Sequence, residues 1–153
     1  MIKQYQFRLE PVLKLRKLKE ENCRTELGKL ITELRRIDDQ LAHDKAEIEN
    51  YYKVQESAMK SGISGSQLQA FPMLVTAKEK NIQLLLLARS KQLVLIEKKK
   101  VELAQLKGDL KVMENLKEKG MEEHRKSVNK EIDQKVEEQT QIWMNYKDKQ
   151  EEI

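Results

Sequence analysis

Few residues in this sequence are suited to nucleophilic, acid–base or metal chemistry: one cysteine, Cys23, two histidines, His43 and His124, and many dispersed carboxylates. A structural zinc site needs four such ligands to converge, and no metal-ligand spacing links these three residues. A cysteine nucleophile needs a base or a positive environment, whereas Cys23 falls on an apolar helix stripe and is expected to be a small buried contact. The histidines are expected at solvated positions far apart from each other. No glycine-rich phosphate loop, nucleophile elbow or convergent acid pair is present. Carboxylates along a straight helix have no wall to exclude water from them. The residues therefore predict a protein that is not an enzyme, with no catalytic residue, no cofactor and no metal.

The elements that carry these residues are set by a four-three alternation. It lands on Leu9, Leu13, Arg16, Glu20, Cys23, Leu27, Leu30, Leu34, Ile37, Leu41, Asp44, Ile48, Tyr51, Gln55 and Ala58. Eleven of these fifteen positions are apolar, enough to make a narrow seam that only a second helix can cover. Leu30 and Leu34 lie mid-seam between apolar neighbours, so truncating them should weaken the pairing.

Composition agrees. Charged residues are 37% of the 153, aromatics 5%, and only 5 Gly and 2 Pro punctuate the chain, which is the signature of long helices rather than a globule. Disorder is disfavoured because the apolar residues are periodic. The net charge of +4 comes from 30 basic and 26 acidic side chains, intermixed, so no nucleic-acid-binding face is expected. Residues 1–19 are locally basic, and the tail from Glu131 is mostly acidic. The longest apolar run, Leu84 to Ala88, is far short of a bilayer span, so no direct membrane insertion is expected. A lone cysteine excludes an internal disulfide and suits a reducing compartment.

One strong break interrupts the pattern, Ser61-Gly62-Ile63-Ser64-Gly65-Ser66, followed by Phe71-Pro72. Pro72 suits the first turn of a new helix. The expected organisation is a single domain, 1–153, with helix one at about 10–60, a loop at about 61–71 and helix two at about 72–147. The second seam runs through Val75, Lys78, Ile82, Leu85, Arg89, Gln92, Ile96, Lys99, Leu103, Leu106, Leu110 and Met113, widened by a belt from Leu84 to Ile96. A short loop between long helices makes an antiparallel hairpin. The fold class is therefore all-α, a long antiparallel two-helix coiled coil with an unpaired C-terminal helical overhang. Folding about residue 66 or 67 sets Leu9 level with about residue 124 and leaves roughly 125–147 without a partner. It also sets Gly28 and Gly108 face to face. Val128, Ile132, Val136 and Trp143 form an apolar stripe on the overhang, with Trp143 as an interface anchor.

The run Phe7-Arg8-Leu9-Glu10-Pro11-Val12-Leu13-Lys14-Leu15-Arg16, with Glu20 and Glu21, resembles the opening of the flagellar export protein FliJ family. Met113-Glu114-Asn115-Leu116-Lys117-Glu118-Lys119 is similar to a second stretch of that family. Glu131-Ile132-Asp133-Gln134 is similar to its C-terminal acidic block, from which Gln134 departs. The stalk proteins of virulence-type secretion systems share the plan, and a structural scaffold or holdase is the alternative of another class. The resemblance implies a stalk of the type III flagellar export apparatus that docks in the export ATPase ring. It also implies contact with the membrane-embedded export gate and help in handling substrate chaperones. The protein would be monomeric alone, cytoplasmic, and peripherally associated with the inner membrane. The ATPase-facing residues it implies are Phe7, Leu9, Val12, Leu13, Arg16 and Leu116, beside the overhang's Val128, Ile132, Val136 and Trp143.

Overall fold

The computed structural model describes residues 3–152. Two helices account for nearly all of them: α1, Glu10–Ser61, and α2, Gly65–Glu151. Pro11 lies in the first turn of α1, where its missing N–H costs no hydrogen bond. The Leu9 carbonyl accepts the first helical bond, from the Leu13 N–H at 2.9 Å.

The turn is shorter than the sequence suggests. Gly62 takes φ of +77°, the left-handed conformation that ends helices at glycine, and its N–H reaches back to the Met59 carbonyl. Ser64 then caps α2: its hydroxyl accepts from the Gln67 N–H at 3.3 Å, and its carbonyl accepts from Leu68 at 3.1 Å. Helix two therefore starts at Gly65, not near residue 72, and runs past 147 to Glu151. Pro72 sits inside it, at the loss of the backbone bond to the Leu68 carbonyl. The serine cap outcompetes the proline as the start signal.

The contacts divide the chain into two units: Glu20–Gln105, and the residues up to Lys19 together with those from Leu106 onward. The first unit is an antiparallel hairpin. Its core follows the four-three seam: Cys23, Ile37 and Leu41 are buried on α1, and Val75, Gln92, Ile96 and Leu103 on α2. Leu30 and Leu34 are only half-buried. Lys99 donates to Glu26 at 2.7 Å, Gln92 to the Leu30 carbonyl at 3.0 Å, and Arg89 to Asp38 at 2.7 Å. These pairs centre the fold on Gly62 and Ile63 rather than residue 66 or 67. A Cβ added at Gly28, or at Gly108, would meet nothing within 4 Å.

One seam position in this unit is a carboxylate. Asp44 is 0% exposed and accepts from Gln40 at 3.0 Å, from Lys78 at 3.3 Å and from Asn81. Burial alone would push its pKa up. The hydrogen bonds from Asn81, Gln40 and Lys78, with the Lys78 charge, outweigh that and hold it below the ordinary aspartate value. Lys78 also pairs with Glu47 and holds that carboxyl low. A buried charge survives here because every side of it is answered by a donor.

In the second unit, Leu13 of α1 and Met113 of α2 are buried. Lys117 pairs with Glu10 at 3.0 Å, and Arg16 donates to the Asp109 carbonyl at 2.9 Å. These bonds set α1 antiparallel to α2 in this unit as well.

Candidate functional site

The sequence directs attention to the place where α2 outlasts its partner. Before Glu10, the chain is a non-helical strap lying on α2. The Lys3 carbonyl lies 2.9 Å from His124 Nε2, and the Tyr5 ring packs on the imidazole with centroids 5.6 Å apart. Tyr5 and Phe7 are half-buried. His124 is thus a packing partner, not the solvated histidine expected. The Tyr5 phenol lies where a Cβ on residue 120 would stand, so any other residue there makes the ring shift. Nothing in the sequence named Tyr5 as the occupant. A glycine placed inside a helix at a cost of about 1 kcal/mol was the available signal.

This gives a sharp expectation for Gly120→Ala. Helix α2 gains about 1 kcal/mol of intrinsic propensity, while Tyr5 is driven off its seat. Melting of the helices should be unchanged or higher, and trypsin cleavage after Arg8 should accelerate several-fold. An unchanged cleavage rate would show that the strap does not depend on Tyr5.

Beyond the strap the cover ends. Val128 is half-buried, and every described residue from Asn129 onward is exposed. Ile132, Val136, Ile142, Trp143 and Tyr146 all stand in solvent on this segment, Trp143 with 61% of its surface free. Lys147 lies over the indole at 5.4 Å.

The residues predicted at the N-terminal side divide into two groups. Leu13 is 2% exposed and serves the pairing of the helices, and the half-buried Arg16 donates to the Asp109 carbonyl. Phe7 is half-buried in the strap. Leu9, Val12 and Leu116 are exposed, and Leu15 and Leu18, which the seam argument passed over because they lie off the alternation, add apolar surface beside them.

Two further groups of reactive side chains among the described residues are taken up by ion pairing and burial. His43, Asp44 and Glu47 bring ligand atoms within 4.8 Å of one another, but the Lys78 ammonium already stands among the oxygens of Asp44 and Glu47. Burial first, then the nearby Glu102 charge, pushes the Cys23 thiol up, which keeps it protonated and unreactive. A shallow depression of about 380 Å³ is lined by Tyr5, Glu118, Met121, Glu122, His124 and Arg125. It is open to solvent and lacks the enclosure that acid–base catalysis uses. Among the described residues, no helix is long and apolar enough to cross a membrane.

What the arrangement can do is bind: a long unpaired helix with an apolar stripe, beside a strapped N-terminus, has the form of a docking element. No curated protein and no solved structure matched the chain. The family model described as flagellar FliJ protein matches residues 5–149. With a match that spans strap, both helices and nearly all of the overhang, the chain belongs to the flagellar FliJ family, whose members are non-enzymatic components of flagellar type III protein export.

Proposed function

We propose that this chain is a coiled-coil stalk whose α2 overhang seats in the lumen of the export ATPase ring. Its other surfaces couple that ring to the membrane-embedded export gate and help to handle the chaperones of exported substrates. On this reading the protein works at the cytoplasmic face of the inner membrane without entering it. The observation that carries the proposal is the uncovered stripe of Ile132, Val136 and Trp143 on a segment of α2 where every described residue from Asn129 onward is exposed. Apolar surface left in water is unfavourable by about 25 cal/mol per Å², so the stripe favours a partner that buries it.

Charge supports an oriented approach. Arg8, Lys14 and Lys17 stand near the beginning of the chain, and Glu131, Glu137 and Glu138 on the overhang. Such separated charges steer encounter more than they tighten the final complex. The test is light scattering of the chain with the assembled hexameric export ATPase, expected to show one chain per ring. Substituting Arg8 and Lys14 should slow association and flatten its salt dependence, with a smaller effect on dissociation. Failure of chain and ring to co-elute would remove the proposal.

A further inference from the structure

The cations on α2 of the hairpin unit divide by the face they stand on. Lys78, Arg89 and Lys99 reach across the seam to Asp44, Asp38 and Glu26 of α1. Lys80, Lys91 and Lys98 are exposed and enter no ion pair among the described residues. These three belong to a second four-three alternation, on the side of α2 turned away from the buried Val75, Gln92, Ile96 and Leu103. Its other members, Met73, Ala77, Leu84, Leu87, Val94 and Val101, are apolar, and all are exposed. Leu74 and Leu95 widen it on one flank. No acid occupies the stripe. Glu97 and Glu102 stand at its two edges, and Glu102 is already paired with Lys99 at 3.0 Å. The unit is polarised in the same sense. Its α1 side, Glu20 to Ser61, has ten carboxylates against seven lysines and arginines, and its α2 side, Gly65 to Gln105, has three against seven.

We propose that this face of α2 docks the hairpin unit side-on against an anionic lipid leaflet. The leucines and valines of the stripe settle at the headgroup boundary, and Lys80, Lys91 and Lys98 bind lipid phosphates. The chemistry of the stripe favours lipid over a protein partner. Protein interfaces are poor in lysine and rely on aromatic residues and arginine, whereas this stripe has three lysines, no aromatic and no arginine. Its apolar width, with Leu74 and Leu95, exceeds the narrow seam that one partner helix covers, and a flat leaflet accepts it. Lysine suits such a boundary because its carbon stem lies along apolar surface while the ammonium reaches the headgroups. A second copy would set lysines against lysines. The acidic α1 side is repelled by the same leaflet, so the polarity of the unit fixes which side turns toward it. Attachment is reversible, each lysine near the surface contributing roughly fivefold to partition. The helix lies along the leaflet and does not cross it.

The inference does not depend on the export ATPase: a chain that ignored lipid but bound the ring would lose this inference and keep that reading. The experiment is co-sedimentation of the full chain with vesicles of phosphatidylcholine alone and of phosphatidylcholine mixed with phosphatidylglycerol, at low and high salt. Pelleting is expected with the anionic vesicles only, and it should fade as salt rises. Lys80→Gln, Lys91→Gln and Lys98→Gln together should lower partition by roughly a hundredfold. The same loss of charge on α1, by Lys29→Gln, Lys45→Gln and Lys53→Gln, should lower it far less, because salt screens charges held away from the leaflet. Leu84→Gln with Leu87→Gln should lower it by about tenfold or more, through the lost apolar contact. All these positions are exposed, and circular dichroism should show every variant as helical as the parent chain. Indifference to anionic vesicles would overturn the proposal and leave the face to an acidic helix of another protein. Equal losses from the two lysine triples, or full binding by the leucine variant, would overturn it as well.

Discussion

Removal of the chain from Val128 onward is expected to abolish binding to the export ATPase and any stimulation of its ATP hydrolysis, while the paired helices stay folded. The two halves of this expectation rest on separate observations. Folding is spared because the last anchored contacts on α2 are those of His124 with Lys3 and Tyr5, and every described residue from Asn129 on is exposed. Deleting a segment in which Val128 alone, among the described residues, is even half-buried removes little stability, so thermal melting should be nearly unchanged. Binding is lost because the deleted segment holds Ile132, Val136 and Trp143, the apolar groups that a ring lumen would cover. Trp143→Ala alone should weaken the complex by about 2–4 kcal/mol if the indole is a central anchor. A truncated chain that stimulated the ATPase fully would move the docking end elsewhere, and the turn around Gly62 and Gly65 would be the next place to look.

The largest stability effect is expected within the seam. Ile37 and Leu41 are buried near the middle of the hairpin unit, whereas Leu30 and Leu34 are half-buried. Truncating a buried aliphatic side chain to alanine costs roughly 2–5 kcal/mol, by lost transfer free energy and a residual cavity. Two helices can close partly around such a cavity, so about 2–3 kcal/mol is expected for Ile37→Ala or Leu41→Ala. In a chain of this size that lowers Tm by roughly 4–12 °C. Leu30→Ala should cost clearly less, because its leucine already meets water. Equal losses at Leu30 and Leu41 in chemical denaturation would show that burial in this pairing does not follow the seam.

That ranking marks the border of what the sequence discloses. The seam on both helices was legible because a heptad pattern is local: each position announces its face by spacing alone, and even polar members such as Glu20, Asp44 and Gln92 lie inside as the alternation demands. How deeply each residue is buried is set by the neighbours of the opposite helix, so Leu30 and Ile37 look alike in the sequence and differ in the structure. The start of α2 was misplaced because Pro72 is a strong generic signal, while a serine cap at Ser64 reads only as one of several turn residues. That shift moved the centre of the hairpin unit by about four residues. Of the candidate site, the uncovered overhang was legible from unequal helix lengths. The strap was not, because Tyr5 meets Gly120 across most of the chain and no local pattern links them. For the ATPase-facing residues that the resemblance implies, the structure adds that Leu13 is buried in the pairing and that Arg16 donates to the Asp109 carbonyl.

The buried Asp44 has a mechanical consequence. Sliding α2 along α1 by one heptad, roughly 10 Å, would part the carboxylate from Asn81 and Lys78 and leave it facing aliphatic side chains. An all-leucine seam would resist such a slip only weakly, since leucine meets leucine at every step. Asp44 works as a dowel: a push or twist applied to one helix near the turn passes to the other as load instead of dissipating in shear.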